Sequence, residues 1–435
     1  MTDQHRAALS RRGFIAATVG IGLGGGPLLS ACSSSSGGEG SGSSPVKLNA
    51  LVQKQAGYSD VHVKAMTAAF TAANPNITVT VDSVPYEALH DKIVAAAPAG
   101  TYDVVLIDVI WPAEFASKGL VADITDKIPS AWKTEVLPGA LNSGVYQDKF
   151  YGVPWLLDTK YFYANTAMLA KANVAPATLS TWPGVITAAK ALKTQGVVKY
   201  PFLWSWSQAE AIICDFAALT ASFGGTLFDP AGKPAFTTGG AVKALEFMKS
   251  TLDEGLTDPA SMESLEDDVR KSMSAGTTAF GLNWTYMYAQ SNDPKLSKEV
   301  GKIAISPVPD GGGGRISVNG SSALAITAGS KHRDAAWKYV EYLSSKPVQE
   351  QYIADSLPIW VASYQDPAVI KSAPNVVAAA KVQLANMTNR PEVPAYNAIS
   401  QLLQVELQKA LLGKKAPQQA LNDAASAANK AIAQS

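Results

Sequence analysis

Histidine and cysteine are scarce in this chain, and charge is modest. Its 435 residues include four histidines and two cysteines, and 17% are Asp, Glu, Lys or Arg. His5, His62, His90 and His332 are scattered with no ligand spacing, which argues against a zinc site. Two cysteines cannot make a disulfide framework, and a body of this size needs none. Positive charge is not in excess, since 36 Lys and Arg balance 36 Asp and Glu. A nucleic-acid partner, which wants a basic face, is therefore not expected. After residue 32 no apolar run reaches the roughly 18 residues of a membrane-spanning helix. Repeats with a period of roughly 20–50 residues, the mark of a solenoid, are missing too.

What is present begins with an address. Arg6, Arg11 and Arg12 form a basic start, Phe14 to Leu29 an apolar middle, and Leu29-Ser30-Ala31-Cys32 a small-residue end. That order reads residues 1–31 as a secretory signal peptide. Ser10-Arg11-Arg12-Gly13-Phe14-Ile15 resembles the twin-arginine export signal. Leu29-Ser30-Ala31-Cys32 resembles the bacterial lipobox, in which the cysteine, here Cys32, takes a diacylglyceryl group and becomes the new N-terminus. Residues 32–45 then read as a Ser/Gly tether that holds the body off a membrane surface. Such a chain is anchored to a membrane rather than spanning it. The glycines of 20–26 lie in the apolar signal and are not a nucleotide-binding fingerprint.

Loss of residues 1–31 removes Arg6, Arg11, Arg12 and Asp3, leaving 33 basic and 35 acidic residues, a net charge of −2. Cys214 is then the one thiol of the body, in the apolar stretch Ala211 to Leu219, and reads as buried and inert. About 390 residues remain after the tether, more than one core usually holds, so two lobes are expected.

The body opens as alternating strands and helices. Val46–Val52 reads as a strand, and Ser59–Ala73 as a helix that Ser59 or Asp60 caps and Asn74-Pro75 ends. Ile77–Val81 alternates as a strand, and Tyr86–Ala97 is helical in pattern. Asp103–Ile107 is the continuous apolar run of a strand covered on both faces, with a short helix over Ala113–Lys118. This order argues for an α/β lobe on a mainly parallel sheet. Further on, Gly239–Glu254 reads as a helix, and Lys302–Ile305 and Ala323–Ile326 as strands. Pro307–Arg315, with four consecutive glycines, reads as a mobile turn. The end is helical: Arg333–Leu343 is amphipathic, Ile399, Leu403, Leu407 and Leu411 recur every fourth residue, and Pro417 starts a last helix.

Several segments together resemble the extracellular solute-binding proteins of the maltose and trehalose type. They are Gln55-Ala56-Gly57-Tyr58-Ser59-Asp60 before a helix ending in Asn74-Pro75-Asn76-Ile77, and Tyr102–Val105 leading to Asp108 and Trp111. Then come Tyr151-Gly152-Val153-Pro154-Trp155 with Tyr163-Ala164-Asn165, Thr181-Trp182-Pro183, Gly281-Leu282-Asn283-Trp284, and Arg390–Tyr396. The resemblance implies a two-lobed α/β fold of the type II periplasmic-binding class, with a hinged ligand cleft. It places lobe one at 46–156 and 321–364 and lobe two at 159–318 and 365–435. It implies a monomer, with no cofactor, that passes a small solute to the membrane permease subunits of an ABC importer.

A sugar ring stacks its C–H face on an aromatic ring and directs its hydroxyls at carboxylates, amides and guanidinium groups. This chemistry selects Asp108 with Trp111, Trp155 with Asp158, and Trp204, Trp206, Gln208 and Glu210. It also selects Asn283, Trp284 and Tyr286, then Asn319 with Gly320, and Arg390 with Tyr396; the motif match adds Gln55 and Tyr58. Asp108 follows the apolar strand, where α/β sheets expose ligands. Trp284 matches a stacking aromatic of the family. Trp132, Trp182, Trp337 and Trp360 are assigned mainly to packing, and Glu263, Glu266, Asp267 and Asp268 to a solvated helix face. The solute expected is a di- or oligosaccharide. Two alternatives stay open. One is a secreted glycosidase using paired carboxylates. The other is the same fold holding a glycerophosphodiester, or a polyamine, which would want more cleft acids than these motifs supply.

Overall fold

A computed structural model describes residues 44–54 and 57–434. Cys32, the signal segment, most of the tether and Gln55 lie outside the described residues. Among the described residues no helix is long and apolar enough to cross a membrane.

The first sheet has five strands, in the order Ile77–Val84, Val46–Gln53, Val104–Asp108, Ser322–Ile326 and Val153–Leu156. The first three are parallel, and Ser322–Ile326 runs antiparallel to both of its neighbours. The sequence explains the central strand: all five residues of Val104–Asp108 are buried, so both faces are covered. Ser59 caps the first helix, Asp60–Ala73, by accepting from the His62 N–H at 3.4 Å. Asn74 ends it, returning its N–H to the Phe70 carbonyl.

The second sheet is smaller and antiparallel, with Tyr161–Asn165 between Phe280–Asn283 and Ile303–Ser306. Helix Glu210–Ser222 is buried from Ala211 to Ser222, which accounts for the absence of a polar face in that stretch. Leu403, Leu407, Leu411 and Leu421 of the last two helices join its apolar cluster. Each such leucine, fully buried, contributes about 2 kcal/mol. Val369, Val376, Val377 and Ala380 pack in a cluster that holds the first sheet and also Tyr161, Tyr163 and Ile303 of the second.

Between the sheets the chain passes from Leu156 to Tyr161 and returns from Val318 to Ser322. The two passages are stitched together: Thr159 bridges Asn319, and Ser317–Val318 pairs in parallel with Met387–Thr388. A few short, adjacent segments thus join two packed bodies, the arrangement of a hinge.

The glycine run departs from expectation, because it is anchored. Gly311 and Gly313 donate to the Ser222 carbonyl at 3.1 and 2.8 Å, and Gly312 and Gly314 to the Asp310 carboxylate at 2.6 and 2.9 Å. A Cβ on Gly313 would lie 2.1 Å from the Gly224 nitrogen. Glycine is required there for close backbone packing, which a reading of the run as a loose turn overlooks.

Candidate functional site

Strand ends and helix starts from both lobes converge on a cavity of about 260 Å³. Asp108 and Ser322 reach it from the first sheet, Glu210 and Glu266 from the first residues of two helices, and Trp284 from just beyond a strand of the second sheet. Ligands in open α/β folds bind at such strand ends.

Trp284 is a half-buried aromatic of this cavity, and its position is tightly set. Its backbone N–H donates to the Asn283 Oδ1 at 2.8 Å, and the Asn283 Nδ2 donates to the Glu266 carbonyl at 2.7 Å. Its indole N–H donates to Glu266 Oε1 at 3.2 Å. Lys160 Nζ lies 5.1 Å from the ring centroid, fully buried, and pairs with Asp215 at 2.6 Å and Glu266 at 3.2 Å. Burial pushes the Asp215 carboxyl up to about 6 although Lys160 opposes it. The six-membered part of the ring meets Gly320, where a Cβ would lie 2.3 Å from Cζ3.

A ladder of polar groups crosses from lobe to lobe. The Tyr86 hydroxyl donates to Asp108 Oδ2 at 2.7 Å, and Arg390 donates to Asp108 Oδ1 and to Glu210 Oε1, each at 2.8 Å. Tyr396 and Ser400 donate their hydroxyls to Glu210. Arg390 is almost wholly buried, and its Nε–H has no partner among the described residues. Burial raises the Glu210 carboxyl, and Arg390 only partly offsets that.

Asp158 sits at the hinge. Its Oδ1 accepts from the Thr159 N–H at 2.8 Å, the Thr285 N–H at 3.1 Å and the Thr285 hydroxyl at 2.6 Å. Burial lifts its carboxyl to about 7 despite these donors. Asp267 is bound by Arg270 at 2.7 Å and Lys271 at 2.8 Å. Burial pushes Asp267 up, but those two cations outweigh it and hold it below the usual carboxylate value. Glu87 lines the cavity and is exposed to solvent. Partial loss of water and the Glu266 carboxylate facing it raise its carboxyl.

Of the residues selected from the sequence, Asp108, Asp158, Glu210, Trp284, Tyr286, Gly320 and Arg390 line this one cavity. Others stand behind it. Trp111 is sandwiched between Tyr86 and Phe115 at 5.6 and 5.7 Å, so it supports Tyr86 from behind. Tyr396 holds Glu210, and Asn283 holds Trp284. Asn319 clips the hinge, donating to the Gly139 carbonyl at 3.0 Å and to Asn389 Oδ1 at 2.9 Å.

Four aromatic assignments are corrected. Trp155 and Tyr58 are buried against each other at 5.1 Å, off the cavity wall. Trp204 and Trp206 stack on each other at 5.3 Å, inside the second lobe's core. Their spacing of two does put both rings on one face, but that face packs inward, and Phe202 extends the stack. Gln208 is exposed and off the lining.

Sequence reasoning missed Lys54, Tyr86, Glu87 and Lys271, all on the lining. It also misassigned Glu266, Asp267 and Asp268, which face the cavity rather than bulk solvent alone. Acidic residues in a first helical turn read as a complement to the helix dipole, and nothing in their spacing separates that role from ligand contact. Tyr86 had a signal: it opens a helix right after a strand of the parallel sheet, at a strand end.

Two α/β bodies, a hinge of adjacent crossings and a polar cleft with an aromatic wall define a receptor that captures a small solute between its lobes. The chain belongs to the bacterial extracellular solute-binding protein family, whose model matches residues 56–350. A Deinococcus radiodurans protein named "Probable ABC transporter-binding protein" is 29% identical over 363 residues, covering 79% of this chain and 84% of that one. The maltose-bound MalE3 of T. maritima superposes with a TM-score of 0.81 at 29% identity, covering 88% of this chain and 98% of that one. A Thermotoga lettingae solute-binding protein with bound α-D-tagatose shares the fold, with a TM-score of 0.79 at 24% identity over 89% of this chain and 99% of that one. The chain is a solute-binding protein of the ABC-transporter class, in a family that acts outside the cytoplasm and in transport rather than catalysis.

Proposed function

We propose that this protein binds a carbohydrate in the cavity beside Trp284, leaves it chemically unchanged, and presents it to the permease subunits of an importer. The observation that carries this reading is Trp284 itself: a half-buried indole, held by Asn283 and Glu266, beside Asp108, Asp158, Glu210 and Arg390. A sugar's C–H face stacks on such a ring, while its hydroxyls donate to the carboxylates and accept from the guanidinium. The maltose-bound relative supports the same ligand class. Solute contacts to both lobes favour the closed form, and its population rises with occupancy.

The lobes of this reading are 46–156 with 321–364 and 159–318 with 365–435, which the two sheets and the stitched crossings support. The receptor acts as a monomer. Export through the twin-arginine route and a lipid on Cys32 keep it at the outer face of the membrane, close to the importer. Calorimetric titration with mono- and disaccharides tests the ligand class, and turnover of any bound glycoside would contradict it. Fractionation of cells producing Cys32→Ser tests the anchor: release from the membrane fraction is expected.

A further inference from the structure

Negative charge around the cavity exceeds positive charge. Seven carboxyl groups line it and Asp215 stands behind Lys160, making eight, of which Asp158, lifted by burial to about 7, is only about half ionised at neutral pH; Lys54, Lys271 and Arg390 line it, and Lys160 and Arg270 stand behind, making five cations. The ion pairs do not absorb the difference. Arg390 is shared by Asp108 and Glu210, and Lys160 by Asp215 and Glu266. Among the described residues Glu87 and Asp158 form no ion pair, and on the cationic side Lys54 forms none either. Glu87 comes from the first lobe's helix Tyr86–Ala96 and lines the same cavity as Glu266 of the second, so approach of the lobes brings like charges toward each other.

A cleft between two low-dielectric bodies focuses such a field, and salt screens it less than it screens charges on an open surface. Hydroxyl donors of a neutral sugar would occupy carboxylate lone pairs but leave the net charge in place. A cation would offset it. The aromatic wall suits the same ligand, because an aromatic face attracts cations as well as C–H groups; Lys160 takes one face of Trp284 and Trp111 one face of Tyr86, which leaves the opposite faces to a solute.

We infer that the solute is an amine-bearing carbohydrate, an amino sugar or aminocyclitol, whose ammonium group is held by Glu87 and the carboxylates facing it while its hydroxyl face lies on Trp284. This rests on the carbohydrate reading above and narrows it. Closure then requires the cation, which draws Glu87 and Glu266 together from opposite lobes.

The test is calorimetric titration of the full chain, at low and moderate salt, with matched pairs: D-glucosamine against D-glucose and N-acetyl-D-glucosamine, D-galactosamine against D-galactose, and spermidine as a cation without a ring. The expected result is at least tenfold tighter binding of an amine than of its neutral partners, with the preference shrinking as salt rises. Glu87→Gln should bring that amine to within about threefold of its parent. Equal or tighter binding of the neutral partners overturns the inference and leaves the carbohydrate reading standing. Binding of spermidine with no sugar of either kind overturns the carbohydrate reading instead. Silence from every compound overturns both.

Discussion

Gly320 and Trp284 touch so closely that a single methyl group would not fit between them: a Cβ at 320 would lie 2.3 Å from the indole. The hinge strand therefore sets where the aromatic wall stands. Any movement of the crossing 318–321 is felt at Trp284, which ties lobe geometry to ligand contact. Gly320→Ala should displace the ring or the hinge at about 1–3 kcal/mol. Calorimetry should show solute affinity falling at least tenfold, with a smaller change in melting temperature than in binding.

Two tryptophans should separate binding from stability. Trp284 is half-buried at the cavity, whereas Trp204 is stacked at the centre of the second lobe. Trp284→Ala should abolish measurable binding while the protein keeps its cooperative melt. Trp204→Ala should cost about 3–5 kcal/mol of stability, read by denaturant unfolding.

Removal of Arg390 leaves two carboxylates buried without their cation. Arg390→Met should destabilise the protein by about 3–5 kcal/mol at neutral pH. The double variant Arg390→Met with Asp108→Asn should recover part of that loss, because the charge left behind is removed. Additive melts of the two single variants would contradict the pairing.

Burial raises Asp158 to about 7 and Asp215 to about 6, well above the unfolded value near 4. The folded state therefore holds more protons than the unfolded chain between about pH 4 and 7. On that account these two groups make stability fall as pH rises through this window and level off above it. Asp158→Asn cannot ionise, so the melting temperature of the variant relative to the parent should rise from pH 5 to pH 8. A difference that is constant with pH would contradict the assignment.

The sequence was most legible where one residue type has one chemical use at a strand end. Asp108 and Trp284 follow apolar strands, and both line the cavity. The parallel opening of the first sheet follows from alternation, caps and the Asp103–Ile107 run. Tryptophan pairs were harder, because Trp204 and Trp206 have the same alternation whether their shared face meets ligand or core. The acidic turn Glu266–Asp268 was hidden for a related reason: a helix start favours acid whether or not it faces a solute. Lys160 gave no signal at all, since only the fold brings it against Asp215, 55 positions away in sequence.

Trp284 and the carboxylates around it are proposed to hold a sugar between two lobes. The most direct measurement is isothermal titration of the protein and of its Trp284→Ala variant with a sugar panel that includes amino sugars, maltose and trehalose, alongside glycerophosphodiesters. Saturable one-to-one binding of a sugar by the parent chain, lost in the variant, with no product formed, is the expected result. Binding of a phosphodiester instead of any sugar, or sugar binding untouched by the loss of Trp284, would contradict it.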